Sequence, residues 1–141
     1  MKKADTEARE QAITLLNEAG LRPTRQRVVL AQVLFSNGDR HVTAEQLHGE
    51  AEADGAAISL ATVYNTLHQF KGAGLLREVV VDSGRAYFDT NTKEHHHFYV
   101  EKTGLLEDIA GELISMTSLP KLPENKVVDR VDIVIRLREK A

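Results

Sequence analysis

Apolar residues recur at helical spacing through the first part of the chain. The first helix is predicted from about Thr6 to Ala19, and Gly20 ends it. A second helix is predicted over Arg25–Phe35, with Thr24 as its N-cap residue. The apolar positions are Ala8, Ala12, Leu15, Leu16 and Ala19 in the first helix and Val28, Leu30, Ala31, Val33 and Leu34 in the second.

Capping signals mark two further helices. Thr43 followed by Gln46 is a capping-box pattern, which predicts a third helix from Ala44 to about Ala53. Ser59 is the predicted N-cap of a fourth helix, from Leu60 to about Gly72.

A β-hairpin is predicted directly after the fourth helix. Strands over residues 75–81 and 85–89 flank Asp82, Ser83 and Gly84, which form a strong turn signal. Three compact helices followed by a hairpin are the layout of a winged helix-turn-helix, here with one more helix in front.

The remainder of the chain predicts a smaller α/β region. Strands are expected over His95–Glu101, Leu105–Ile109 and Val127–Leu137, and a short helix over Glu112–Met116. About 50 residues bury only a marginal core, so we expect this region to cover apolar surface with a second copy of the chain. The predicted fold is α+β, with a winged helix-turn-helix domain over residues 1–88 and a dimerisation and ligand-sensing domain over residues 89–141.

Composition excludes several classes. Of the 141 residues, 42% are hydrophobic and 28% are charged, which is too apolar for a disordered chain. No apolar run is long enough to cross a membrane, and Asp5, Glu7 and Glu10 stand where an export signal would be apolar, so a cytoplasmic protein is expected. The chain contains no cysteine, which leaves histidines and carboxylates for any metal.

The fourth helix is a candidate DNA-reading element. Its N-terminal half presents the short polar side chains of Ser59, Thr62 and Asn65 together with Tyr64. A helix N-terminus can donate N–H groups to phosphate, and an asparagine can pair with an adenine edge. The alternative is an ordinary solvated helix face. Because the net charge is −3, DNA binding would depend on local basic residues, and the predicted contacts are Arg25, Arg27, Arg77 and Arg85.

The histidine triplet is a candidate metal site. In a strand, His95 and His97 point to one side and His96 to the other. Two imidazoles at this spacing form half of a tetrahedral site, to which Asp89 and His41 could add ligands. Zinc, iron and manganese all suit these ligands, and a histidine-rich surface stretch is the alternative.

Enzymatic motifs are absent from the sequence. It contains no G-x-S-x-G, no phosphate-binding glycine loop and no H-E-x-x-H. A metallohydrolase using Asp89, His95 and His97 is the least favoured hypothesis, because no neighbouring residue is an evident general base. We therefore expect a protein that is not an enzyme.

Several segments together resemble the ferric uptake regulator (Fur) family. Within that family the chain is most similar to the iron response regulators of rhizobia and their relatives. The resemblance covers nearly the whole chain and rests on residues 19–27, 41–47, 59–67, 74–76, 87–91, 95–97 and 133–138.

The resemblance implies a homodimeric regulator, mainly a repressor, of iron and haem metabolism genes, bound to a palindromic, AT-rich operator in double-stranded DNA. It implies a metal site at His41, Asp89, His95 and His97. It also implies regulatory haem at the triplet, and we state as a hypothesis that His96 is the haem ligand on the side away from the metal. Direct sensing of Zn²⁺, Fe²⁺ or Mn²⁺ is the alternative. The family's structural zinc, held by two C-x-x-C pairs, has no counterpart here.

Overall fold

The computed structural model describes residues 3–82, 85–115 and 118–140. The chain divides into two compact units, an N-terminal unit, Met1–Thr92, and a C-terminal unit, Lys93–Ala141. None of the helices in the described residues is long and apolar enough to cross a membrane. Ser83, Gly84 and Met116, which belong to the predicted hairpin turn and short helix, lie outside the described residues.

Four helices build most of the N-terminal unit. They are α1 (Lys3–Glu18), α2 (Arg25–Phe35), α3 (Ala44–Ala53) and α4 (Leu60–Gly72). All three predicted N-caps are present, because Thr24, Thr43 and Ser59 each accept a backbone N–H from the residue three positions on. At Thr43 the capping box is complete, since the Gln46 side chain accepts the Thr43 N–H at 2.9 Å.

A three-stranded sheet completes this unit. Its strands are β1 (His41–Val42), β2 (Arg77–Asp82) and β3 (Arg85–Asp89), in the order β1-β3-β2 and antiparallel throughout. The hairpin of β2 and β3 was predicted, whereas β1 was not, since two residues carry no periodicity. β1 brings the segment between α2 and α3 beside the β2–β3 hairpin, which is the wing of the predicted fold.

The core of the N-terminal unit is one apolar cluster. Phe70 and Phe88 are fully buried in it together with the inward faces of all four helices. Leu16, Leu34, Leu47 and Leu67 are likewise buried completely. The predicted stripes therefore pack together, and α4 turns its opposite face to solvent.

The C-terminal unit contains a second three-stranded sheet. Its strands are β4 (His95–Val100), β5 (Leu105–Ala110) and β6 (Val134–Leu137). β4 lies in the centre, antiparallel to β5 and parallel to β6. Arg136 of β6 lies over the buried Tyr99 ring, at 5.7 Å from the ring centroid, and pairs with Glu101 at 2.6 Å.

Two predicted elements of this unit are corrected. The helix expected over residues 112–116 is a single 3₁₀ turn, Gly111–Leu113. Leu113 is 75% exposed, so its side chain contributes no buried packing to stabilise a longer helix. The strand expected over residues 127–137 forms only at Val134–Leu137. The ladder begins there because the Ile133 N–H is donated to the His96 side chain instead of a backbone carbonyl.

Candidate metal centre and nucleic-acid interface

Strand β4 places the histidine triplet as its alternation predicts. His95 and His97 lie on one face, with ring centroids 4.6 Å apart, and His96 lies on the other. All three residues are buried, with 3–4% of their surface exposed. Buried imidazoles need polar partners, and each face supplies different ones.

Asp108 faces His95 and His97 from β5. Its Oδ1 atom is 3.6 Å from Nε2 of His95 and 3.3 Å from Nε2 of His97. Ligand atoms held about 2.1 Å from a tetrahedral metal ion are about 3.4 Å from each other. The three ligand atoms lie within 4.8 Å of one another, so two imidazoles and one carboxylate converge at metal-ligand spacing.

His95 is held in the tautomer that suits metal binding. Its Nδ1 is 2.6 Å from the backbone carbonyl of Lys93. A carbonyl only accepts, so Nδ1 carries the proton, and in the neutral imidazole Nε2 keeps its lone pair. A backbone carbonyl that orients an imidazole in this way is the usual second partner of a metal-bound histidine.

Sequence reasoning did not find Asp108. The signal was the hairpin register, because Val100 pairs with Leu105 across a four-residue loop and Asp108 then pairs with His97. The strands predicted from the sequence, His95–Glu101 and Leu105–Ile109, leave a turn of residues 102–104, which is one residue shorter than the observed loop. A slip of one residue transfers every side chain of a strand to the other face.

His96 has a different environment. Its Nδ1 accepts the backbone N–H of Ile133 at 3.1 Å. A neutral imidazole that accepts at Nδ1 carries its proton on Nε2, which then has no lone pair to offer a metal. The triplet therefore provides two converging ligands and one histidine that anchors the start of β6.

His41 and Asp89 are neighbours within the N-terminal unit. They stand directly opposite each other where β1 pairs with β3. Asp89 is fully buried, and its Oδ1 accepts the Asn91 N–H at 2.9 Å. The His41 ring meets the Tyr87 ring edge-on at 6.3 Å. Together these contacts place an imidazole and a carboxylate on neighbouring strands.

A second network fixes the strands on which His41 and Asp89 lie. The Arg40 N–H donates to the Thr90 hydroxyl at 2.8 Å, and the Thr90 N–H donates to the Arg40 carbonyl at 2.9 Å. The Arg40 guanidinium forms a bidentate pair with Glu50 of α3, at 2.7 and 2.6 Å. This hydrogen-bonded pair raises the pKa of Arg40 and lowers the pKa of Glu50. The pair therefore joins β1 to α3.

The outer face of α4 presents the predicted reading residues. Tyr64 is 50% exposed, and Asn65 and Ser59 are exposed beside it, whereas Thr62 is half-buried. Thr66 of the same helix is buried. A depression of about 340 Å³ lies against Tyr64 and Asn65, and its other walls are Ala44, Glu45, Leu60 and Ala61. The face thus combines polar groups with an apolar recess.

His68 packs against Tyr64. It is half-buried, with its ring 4.5 Å from the Tyr64 centroid and 5.3 Å from that of Phe88. Its Nε2 atom is buried and makes no hydrogen bond within the described residues. The imidazole therefore acts as an aromatic support that packs Tyr64 against the sheet.

The predicted basic contacts differ in their surroundings. Arg25 and Arg85 are exposed, and Arg77 is half-buried on β2. Arg27 directs its guanidinium toward Gln69 of α4 and the carbonyl of Arg22. Arg27 is thus the predicted contact whose side chain is held against α4.

The chain is similar in sequence to known transcription regulators. The sequence profile of the ferric uptake regulator family matches residues 18–134. The peroxide-responsive repressor PerR of Staphylococcus aureus is 35% identical over 99 residues, which is 70% of this chain and 66% of that protein. The matched stretch thus spans slightly less than two thirds of that relative's length.

Solved structures show the same architecture. The ferric uptake regulator from Pseudomonas aeruginosa, solved with manganese, aligns with a TM-score of 0.68 at 29% identity, covering 92% of this chain and 98% of that one. A zinc-bound manganese uptake regulator aligns with a TM-score of 0.59 at 25% identity, covering 93% of this chain and 99% of that one. These likenesses confirm the α+β fold predicted from the sequence.

Proposed function

The chain belongs to the ferric uptake regulator family, and from this premise we propose that it is a dimeric DNA-binding repressor that senses a divalent metal ion directly. Members of this family are transcription regulators, so the expectation that the chain is not an enzyme is confirmed and the hydrolase hypothesis is set aside. Cytoplasmic localisation remains a prediction.

The convergence of His95, His97 and Asp108 carries the proposal. Two imidazole nitrogens and a carboxylate oxygen form a ligand set that zinc, iron(II) and manganese(II) all accept. The names of the relatives point to the same ions, since one solved structure contains manganese and another is zinc-bound. A bound ion would neutralise the carboxylate and cross-link the strands that carry its ligands.

We propose that His41 and Asp89 are metal ligands as well, as the resemblance to the family implies. Both residues occupy positions that match the family pattern, and within the N-terminal unit they lie opposite each other on β1 and β3. Arg40 and Thr90, their chain neighbours, hold the two strands in register through hydrogen bonds. The Arg40–Glu50 pair then connects the ligand strand β1 to helix α3, which offers a route from metal occupancy to the reading helices.

Haem sensing at His95, His96 and His97, with iron and haem metabolism genes as targets, is the alternative that the resemblance to iron response regulators implies. The triplet does not fit haem in this conformation. All three imidazoles are buried, and His96 would have to break its hydrogen bond to Ile133 and change tautomer before Nε2 could bind iron. Direct metal sensing requires neither change, and we therefore favour it.

For DNA, we propose that α4 enters the major groove of a palindromic, AT-rich operator. Tyr64, Asn65, Ser59 and Thr62 would contact the groove, with a thymine methyl group as one partner of the Tyr64 ring. Phosphate contacts are proposed for Arg25, Arg77 and Arg85. A homodimer would present two such helices to the two half-sites.

The metal proposal is tested by titrating zinc, manganese and iron(II) into Asp108→Ala and Glu107→Ala. Glu107 is an exposed carboxylate on the same strand but on the opposite face, so Glu107→Ala is the matched control. We expect metal affinity to fall at least about tenfold in Asp108→Ala and to remain unchanged in the control. Equal affinities in both variants would contradict the proposal. A haem titration that produces a Soret band and releases DNA would favour the alternative.

The DNA proposal is tested with sequences selected from a random DNA library by the wild-type protein. Tyr64→Ala should lower the affinity for the selected sequence at least about tenfold, because it removes the ring from the reading face. Tyr64→Phe keeps the ring and should retain most of the affinity. Thermal unfolding of each variant shows that the fold is intact, and unchanged affinity in a folded Tyr64→Ala protein would reject the groove assignment.

A further inference from the structure

Arg27 makes three hydrogen bonds that tie three segments together. Its Nε and Nη2 donate to Oε1 of Gln69 at 3.2 and 3.1 Å, and its Nη1 donates to the Arg22 carbonyl at 2.9 Å. Gln69 belongs to α4 and Arg22 to the connector before α2. A guanidinium only donates, so the amide atom that faces it must be the oxygen.

The backbone of Arg27 is fixed as well. Its N–H donates to the Thr24 hydroxyl, which caps α2. The side chain therefore leaves a rigid helix start and reaches a residue 42 positions later in the sequence. The planar guanidinium holds its donors in a fixed fork, so this contact restrains the direction as well as the distance between α2 and α4.

Arg25, two residues earlier on the same helix, provides the contrast. Among the described residues it makes no hydrogen bond or ion pair, and its side chain is exposed. Arg25 is thus available to a phosphate, whereas Arg27 has already used three of its five donors within the protein.

We propose that Arg27 is a positioning residue for DNA recognition, which fixes the setting of α4 against α2 through Gln69, and that it is not one of the phosphate contacts. This inference rests on the proposed DNA binding by α4. Tyr64 and Gln69 share that helix, so a change in its rotation moves the reading face out of register with base edges. Loss of the Arg27–Gln69 hydrogen bonds should weaken binding to the selected operator and leave the weaker, non-specific binding to other DNA unchanged.

The test compares four variants, Arg27→Lys, Arg27→Gln, Gln69→Ala and Arg25→Ala, on the selected operator and on random-sequence DNA over a range of salt concentrations. Arg27→Lys keeps the charge but loses the fork, and Gln69→Ala changes no charge at all. Both should lower operator affinity about three- to tenfold, as loss of a hydrogen-bonded contact does, with non-specific affinity unchanged. Arg27→Gln should show the same loss without a change in the salt slope.

Arg25→Ala is the matched control for a phosphate contact. It should weaken binding to both DNAs and lower the slope of log affinity against log salt by about one. The proposal is overturned if Gln69→Ala binds as the wild type does, or if Arg27→Gln lowers the salt slope as Arg25→Ala does. Should one Arg27 variant fail to fold, Gln69→Ala alone decides. The proposed function fails separately, when Tyr64→Ala binds the operator as tightly as the wild type.

Discussion

In the N-terminal unit, 16 buried apolar residues form one continuous cluster, whereas the described part of the C-terminal unit buries three histidines beside three apolar residues, Tyr99, Leu106 and Ile109. Burial of apolar area stabilises the first unit directly. Burial of imidazoles costs free energy unless each finds a partner. The N-terminal unit therefore has the larger apolar core, whereas the C-terminal unit depends more on polar contacts of its buried histidines.

The two units also differ in the apolar side chains that they expose. In the C-terminal unit, Val127 is 89% exposed and Leu113 is 75% exposed, and several other apolar side chains are partly so. Tyr64, an exposed apolar group on the outer face of α4, is instead proposed to contact DNA. A second copy of the chain is the partner that the predicted dimerisation domain provides for the C-terminal surface.

Truncating a core side chain should show the largest difference in unfolding free energy between the two units. Phe70→Ala removes a ring that is completely buried in the N-terminal cluster, and we expect the free energy of unfolding to fall by about 3–5 kcal/mol. Leu113→Ala, at an exposed position of the other unit, should change it by less than about 0.5 kcal/mol. Urea denaturation measures both. Similar losses would mean that the contrast between the units is wrong.

Metal addition should stabilise the C-terminal unit, whereas the core truncation destabilises the N-terminal unit. At about 100 times its dissociation constant, a bound ion stabilises the folded state by about 2.7 kcal/mol. Hydrogen exchange should slow in β4 and β5, while the core amides of α2 keep their rates. His97→Ala should abolish the protection. Slowing that is spread evenly over α2 and β4 would remove the distinction between the units.

Acidification should produce the smallest effect, and it falls on the N-terminal unit. The Arg40 hydrogen bond holds the pKa of Glu50 below its usual value of 4.5. The lowered pKa means that this stabilisation is present above pH 4.5 and is lost as the pH falls through the folded-state pKa. The pair is partly exposed, so we expect at most about 1 kcal/mol.

The matched variants for this prediction are Glu50→Gln and Glu52→Gln, both on α3. Glu50→Gln should lower stability at neutral pH and flatten its dependence on pH below 4.5, as measured by thermal unfolding. Glu52 is exposed and outside the pair, so Glu52→Gln should leave both unchanged. If both variants have the same stability and the same pH dependence, the Arg40–Glu50 pair does not contribute to stability.

Local signals predicted most of the fold. Caps at Thr24, Thr43 and Ser59 and the period of the apolar positions depend on neighbouring residues, so the sequence displays them directly. The ligand face of β4 followed from strand alternation. Asp108 did not, because its place opposite His97 depends on the length of one loop. The residues before Val134 alternate like a strand, yet a strand also needs a partner backbone, and the His96 side chain takes the Ile133 N–H.

The two neighbours of β4 also imply an order of assembly. β5 follows β4 after a short loop, so this hairpin closes at little cost in chain entropy. β6 pairs in parallel, and it can do so only after the chain has crossed residues 111–133. Because local pairings cost less loop-closure entropy than distant ones, we expect β6 to pair with β4 after β5 does. In this order Asp108 faces His97 as soon as the β4–β5 hairpin forms. The His96 tautomer is fixed later, when the Ile133 N–H donates to its Nδ1 atom.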